Sequence, residues 1–241
     1  MFEPIRAPGG GDARLYVPEG PGPWPRVVLL MDAGGLRPSM DALATAFAAA
    51  GTAVIAPNLY WRSEPFAPID FRTAFSVPAE SERVRALMRA IAVPDVVADL
   101  AGWYDWPDPR LRPGPVGLVG YCMGGRLAVL AAAAAPDRVV AAAAIHPGGL
   151  VTDGPTSPHL GVGTIRAQLY IGAADEDNSF TAAHRATLAA ALDAAGTRYE
   201  LDFQPGARHG YAVEDAPVYS AAADARHRDK VTALFRSSLG A

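Results

Sequence analysis

Residues Gly120-Tyr121-Cys122-Met123-Gly124-Gly125 set the only cysteine of the chain inside a G-x-C-x-G pattern. The apolar run 116–119 precedes it and an alanine-rich segment from Arg126 to Ala135 follows, so the pattern reads as strand, tight turn, helix. A nucleophile at such a turn sits on strained backbone, and small residues two positions to either side let strand and helix approach closely. A bulky side chain at Gly120 or Gly124 is expected to clash. The thiol would stand at a helix N-terminus, where free N–H groups and the helix dipole favour thiolate over thiol. The chemistry this points to is nucleophilic attack on a carbonyl.

A thiol nucleophile needs a base, an acid to orient that base, and N–H donors for the oxyanion. Of the five histidines, His209 lies in the Gly-rich loop 205–211 after a strand-like run, and is the expected base. His184 and His227 fall in helix-like segments among Ala, Arg and Asp and are expected at the surface. His159 is less easily set aside, and His146 ends a strand-like run and is expected to line the pocket. Asp175 is the first polar residue after the run 168–174 and is the expected acid, leaving Glu176 and Asp177 to solvent or helix capping. The expected oxyanion donors are the N–H groups of Met123 and of Ala33, the latter in the loop Asp32-Ala33-Gly34-Gly35-Leu36-Arg37-Pro38. Asp32, Gly34, Arg37, Tyr121 and His146 are the expected substrate-side residues, and Arg62 and Arg72 also lie on the predicted pocket side. No metal site and no cofactor are expected.

Strand-like runs at 27–31, 53–57, 116–119, 140–145, 168–172 and 199–203 are mostly continuous apolar segments, the signature of strands buried on both faces. Helix-like segments at 40–50, 79–91, 95–103, 123–135, 181–195 and near 219–239 alternate with them. That alternation predicts an α/β fold with a mainly parallel central sheet and helices on both faces. Ligands of such sheets bind outside the carboxyl ends of the strands, where Cys122, Asp175 and His209 all fall. Their order, nucleophile, acid, base, is that of the α/β-hydrolase triad. Residues 1–241 are expected to form one domain, with about 61–94 as a lid or pocket wall carrying Trp61, Phe66, Phe71 and Phe75. The first 25 residues, rich in Pro and Gly, read as a loosely held edge.

A formal net charge of −4 with no basic cluster argues against nucleic acid as a partner. The apolar stretches are about half the ~20 residues that a membrane span requires, so no membrane partner is expected. One cysteine forms no internal disulfide, and the N-terminal residues lack the apolar core of a signal peptide. A cytoplasmic location is the expectation. The sequence is silent on oligomeric state.

The segment 119–125, Ala56-Pro57-Asn58-Leu59-Tyr60, Asp175 in its loop, and 206–210 around His209 together resemble the dienelactone hydrolases, cysteine members of the α/β-hydrolase superfamily. The likeness runs from about Val27 to Tyr211. It implies hydrolysis of an enol-lactone or related activated ester through a thioester, with no metal or organic cofactor, and a resting thiol that becomes thiolate when substrate reorganises the site. It also implies a glutamate holding the resting cysteine, where this chain has the shorter Asp32. The expected function is therefore cleavage of a small ester or lactone by Cys122, with Asp175 fixing the tautomer of His209. Two alternatives stand beside it. One is a broader carboxylesterase, or a hydrolase of other electrophiles such as phosphate triesters, using the same triad. The other is a non-catalytic ligand-binding or redox-sensing thiol protein.

Overall fold

The computed structural model describes residues 1–63 and 67–240. Eight strands form one sheet: β1 (Glu3–Arg6), β2 (Asp12–Tyr16), β3 (Trp24–Leu30), β4 (Ala53–Pro57), β5 (Leu111–Tyr121), β6 (Val139–Ile145), β7 (Gln168–Glu176) and β8 (Tyr199–Arg208). Their spatial order is β1-β2-β4-β3-β5-β6-β7-β8, antiparallel at β1–β2 and β2–β4 and parallel from β4 onward. The first two strands replace the loose edge expected for residues 1–25. Their few residues and flanking Pro and Gly hide them from pattern reading, but β2 is ordered by pairing with β4 and β1 by pairing with β2.

The helices are α1 (Pro38–Ala49), α2 (Pro78–Ala90), α3 (Val93–Tyr104), α4 (Met123–Ala134), α5 (Ala182–Ala195) and α6 (Ala221–Leu239). Strand β3 shows why the apolar runs are continuous. Val27, Leu29 and Met31 join the core beneath α1 and α6, while Val28 and Leu30 join the core of the opposite face with α3, α4 and α5. Each fully buried side chain of this size contributes about 1.5–3 kcal/mol. Among the described residues, no helix is long and apolar enough to cross a membrane.

Strand β5 and helix α4 meet at the elbow with no room for side chains between them. A Cβ at Gly120 would lie 2.0 Å from the carbonyl oxygen of Gly124, and one at Gly124 would lie 2.2 Å from that of Leu30. Both obstacles are backbone, which a rotamer change cannot move. Gly124→Ala is therefore expected to cost about 3 kcal/mol or more. The measurement is the denaturation midpoint with soluble yield; a variant as stable as the parent would contradict this contact.

Candidate active site

The close approach fixes the backbone of Cys122, which takes φ 51° and ψ −112°. Its N–H donates to Ile145 O at 3.0 Å, so the turn is tied to the end of β6. Its carbonyl accepts from the N–H groups of Gly125 at 3.1 Å and Arg126 at 3.3 Å, the first turn of α4. Met123 is the first residue of that helix, and its N–H has no acceptor within the helix. The half-buried thiol thus stands beside an N–H free to serve a ligand.

His209 reaches the thiol from the loop after β8, with Nε2 3.0 Å from Sγ. Its Nδ1 lies 2.7 Å from Oδ2 of Asp177. The other oxygen of Asp177 accepts from Ser179, from its N–H at 2.7 Å and its Oγ at 2.5 Å. The carboxylate at the histidine is therefore Asp177, and the expectation of Asp175 is corrected. Strand β7 continues past its apolar run to Glu176, so Asp175 is a strand residue and Asp177 is the first residue of the turn. Between the pairs Ala174–Gln204 and Glu176–Arg208, β8 carries two more residues than β7. Exposed Asp175 stabilises this bulge by accepting the N–H of Gly206 at 2.9 Å.

Charge on this relay follows from its neighbours. Burial alone would push the His209 imidazole down, but the Cys122 sulfur and Asp177 outweigh it and raise the pKa to about 10. Burial likewise works to raise Asp177, yet its bonds from His209 and Ser179 hold it below the usual carboxylate value.

The loop after β3 forms the facing wall. Ala33 lines the same cavity as Cys122 and His209, and its carbonyl accepts the Tyr60 hydroxyl at 3.0 Å. Asp32 is buried and fully engaged: Oδ1 accepts from Gly34 N–H at 2.8 Å and Arg37 Nη1 at 2.6 Å, and Oδ2 from Arg37 Nη2 at 3.0 Å. Arg37 also donates to both oxygens of Asp215 at 2.7 and 3.0 Å, and its guanidinium lies 4.2 Å from the Phe71 ring centroid. Arg37 is thus buried between two carboxylates rather than open to a substrate, which corrects its expected role. Gly34 serves this clasp, since a Cβ there would lie 2.5 Å from Arg37 Nη1.

The cavity, about 630 Å³, is lined by Asp32, Ala33, His146, Arg72, Phe71 and Phe75 around Cys122 and His209. His146 follows β6 at φ 36° with its ring 5.2 Å from that of His209, and burial followed by the charges of His209 and His227 pushes its pKa well down. Phe71 and Phe75 place part of the 61–94 segment in the cavity wall. Trp61 and Arg62 instead bind Asp99, and Phe66 lies outside the described residues. Tyr121 does not line this cavity: it is fully buried in the core beside it, its hydroxyl 3.2 Å from His227 Nε2. His227 is fully buried rather than at the surface, and burial together with Arg228 lowers it to about 3. His184 is half-buried, and His159 Nδ1 pairs with Ser157 Oγ at 2.7 Å.

The chain resembles known proteins over nearly its whole length. A candidate carboxymethylenebutenolidase of Synechocystis sp. is 27% identical over 237 residues, covering 93% of this chain and 91% of that protein. A carboxymethylenebutenolidase of Pseudomonas sp. is 34% identical over 137 residues, 54% of this chain and 53% of that one. Among solved structures, a candidate dienelactone hydrolase of Klebsiella pneumoniae superposes with a TM-score of 0.85 at 22% identity, covering 98% of each chain. The sequence profile of the dienelactone hydrolase family matches residues 12–239, from β2 to the end of α6, and the chain belongs to that family of ester- and lactone-cleaving hydrolases.

Proposed function

We propose that this protein cleaves a small ester or lactone through a thioester on Cys122. The observation that carries the reading is the continuous relay from Sγ through His209 to Asp177, at 3.0 and 2.7 Å. With His209 holding its proton to about pH 10, the imidazolium faces the Cys122 sulfur. The thiolate attacks the carbonyl carbon, and the oxygen that gains charge is met by the N–H groups of Met123 and Ala33. As the tetrahedral adduct collapses, the C–O bond breaks and the alkoxide takes the proton on Nε2. Neutral His209 then removes a proton from water, whose oxygen attacks the thioester. The C–S bond breaks, the acid leaves, and the thiolate–imidazolium pair is restored. Asp177 keeps Nδ1 protonated and the ring aimed throughout.

Cys122→Ala is expected to lower kcat/KM on an activated aryl ester by at least about 10³-fold. Asp177→Asn should cost about 10²- to 10⁴-fold in kcat, and Asp175→Asn far less, because only the former touches His209. Equal losses in the two aspartate variants would overturn the acid assignment.

The raised pKa of His209 sets the alkaline behaviour. Leaving-group protonation needs the imidazolium, so kcat/KM should fall as pH rises through about 10. The stabilisation from the charged ring is present in full below the ordinary value of 6.5 and is lost as pH rises through about 10. In Asp177→Asn the raising influence of the carboxylate is gone, so the alkaline limb should move to lower pH. NMR titration of the His209 ring alongside the rate profile checks this; an unmoved limb would contradict the relay.

A further inference from the structure

The loop between β3 and α1 spends its N–H groups unevenly. Gly35 N–H donates to Asp32 O at 3.2 Å, and Gly34 N–H donates to Asp32 Oδ1 at 2.8 Å. Ala33 is buried and lines the cavity of Cys122 and His209, yet its N–H meets no acceptor among the described residues. A buried backbone N–H without an acceptor is rare, and it costs free energy until a ligand oxygen meets it.

Both peptide units that flank Ala33 are pinned. The Asp32 carbonyl and the Ala33 N–H belong to one trans peptide and point opposite ways, so the bond from Gly35 to Asp32 O sets the direction of the Ala33 N–H. The next unit carries Ala33 O and Gly34 N–H at its two ends. The buried Tyr60 hydroxyl donates to the first at 3.0 Å, and Asp32 Oδ1 accepts from the second. Asp32 is itself held at both oxygens by Arg37, at 2.6 and 3.0 Å. Arg37 is braced in turn by Asp215 at 2.7 and 3.0 Å and by Gly35 O at 3.2 Å. A guanidinium spans two carboxylates with a planar fork that an ammonium lacks. Neither Arg37 nor Tyr60 lines the cavity, so each can reach the chemistry only through the loop.

We propose that Arg37 and Tyr60 are positioning residues for the oxyanion: they fix the Ala33 peptide so that its N–H already points where the carbonyl oxygen gains charge. This rests on Cys122 as the nucleophile, and it assigns the direction of the second donor to two side chains outside the cavity. A donor fixed in advance does not reorganise as the charge develops, whereas a loop free to rotate gives up part of that stabilisation.

The test reads a tetrahedral adduct without turnover. When butanal adds to Cys122, the S–C bond forms, the carbonyl π pair passes to oxygen, and that oxygen takes the proton on His209 Nε2. Its dissociation constant is read from protection of Cys122, the sole cysteine, against iodoacetamide. Iodoacetamide itself displaces iodide and builds no charge on an oxygen. Arg37→Lys should weaken butanal by about tenfold or more and Tyr60→Phe by about three- to tenfold, with alkylation in the absence of aldehyde within about twofold of the parent. In ester turnover both variants should lose kcat with KM little changed. Unchanged butanal affinity in either variant, or a loss matched by the alkylation rate, would overturn the proposal. Tyr60→Phe removes one oxygen from a buried ring, so that arm decides the matter even if Arg37→Lys fails to fold. A parent that binds butanal, with these losses in the variants, but hydrolyses no ester would sustain the positioning and defeat the hydrolase reading. A parent that hydrolyses esters without affinity for butanal would do the reverse.

Discussion

The backbone contact between Gly120 and Gly124 is the constraint on which the site depends. With a Cβ at Gly120 only 2.0 Å from Gly124 O, strand and helix occupy a separation that no side chain permits. The chain between them must turn within three residues, and Cys122 accepts a left-handed φ to do so. That strain places the sulfur at the sheet edge and leaves the Met123 N–H unspent. Glycines without chemistry of their own thus determine where the Cys122 thiol and the N–H groups around it stand.

Burial alone does not decide charge here. His146, His209 and His227 lie in one aromatic cluster, bridged by Tyr121 and Tyr211 at ring separations of 5.2–6.1 Å. Desolvation works against the charged form of all three. Among the described residues, His146 has no hydrogen-bond partner on either nitrogen, and His227 finds only the Tyr121 hydroxyl on Nε2. Asp224, nearest to His227, is raised by burial, while Tyr219 and Arg228 bind its Oδ2. Only His209 has both nitrogens engaged, Nε2 by the Cys122 sulfur and Nδ1 by the Asp177 carboxylate, and only its pKa rises. A single imidazolium in a cluster of neutral rings confines the mobile proton to the atom that faces the sulfur.

Continuous apolar runs and the glycine spacing of the elbow made the parallel sheet, its helices and the positions of Cys122 and His209 legible in the sequence. The carboxylate that meets His209 is not, because composition does not reveal that β7 runs on as far as Glu176 and puts Asp177, two residues past the first polar one, at the strand's end. The burial of Tyr121 was available from strand parity, since Val119 and Tyr121 share one face with the core beneath α6. His227 carried a similar signal: Ala223, His227, Val231, Leu234 and Phe235 recur at helical spacing and form one buried stripe. Strands β1 and β2 gave no such pattern, since β2 is ordered by pairing with β4, some forty residues away in the chain, and β1 by pairing with β2.

The Asp32–Arg37–Asp215 clasp bears on the resting state of the Cys122 thiol. Asp32 lines the cavity of Cys122, and an unpaired carboxylate there would oppose negative charge on the sulfur. Arg37 removes that opposition by engaging both Asp32 oxygens, and Gly34 N–H takes a further lone pair. Having committed these bonds, Asp32 has little freedom to swing toward the thiol as a longer carboxylate would. The same guanidinium extends to Asp215, six residues after His209, so it ties the loop that carries Ala33 to the loop that follows the base. Buried pairs of this kind contribute less to net stability than to holding one arrangement over others. Here the arrangement keeps the Ala33 wall of the cavity and the loop beyond His209 in register.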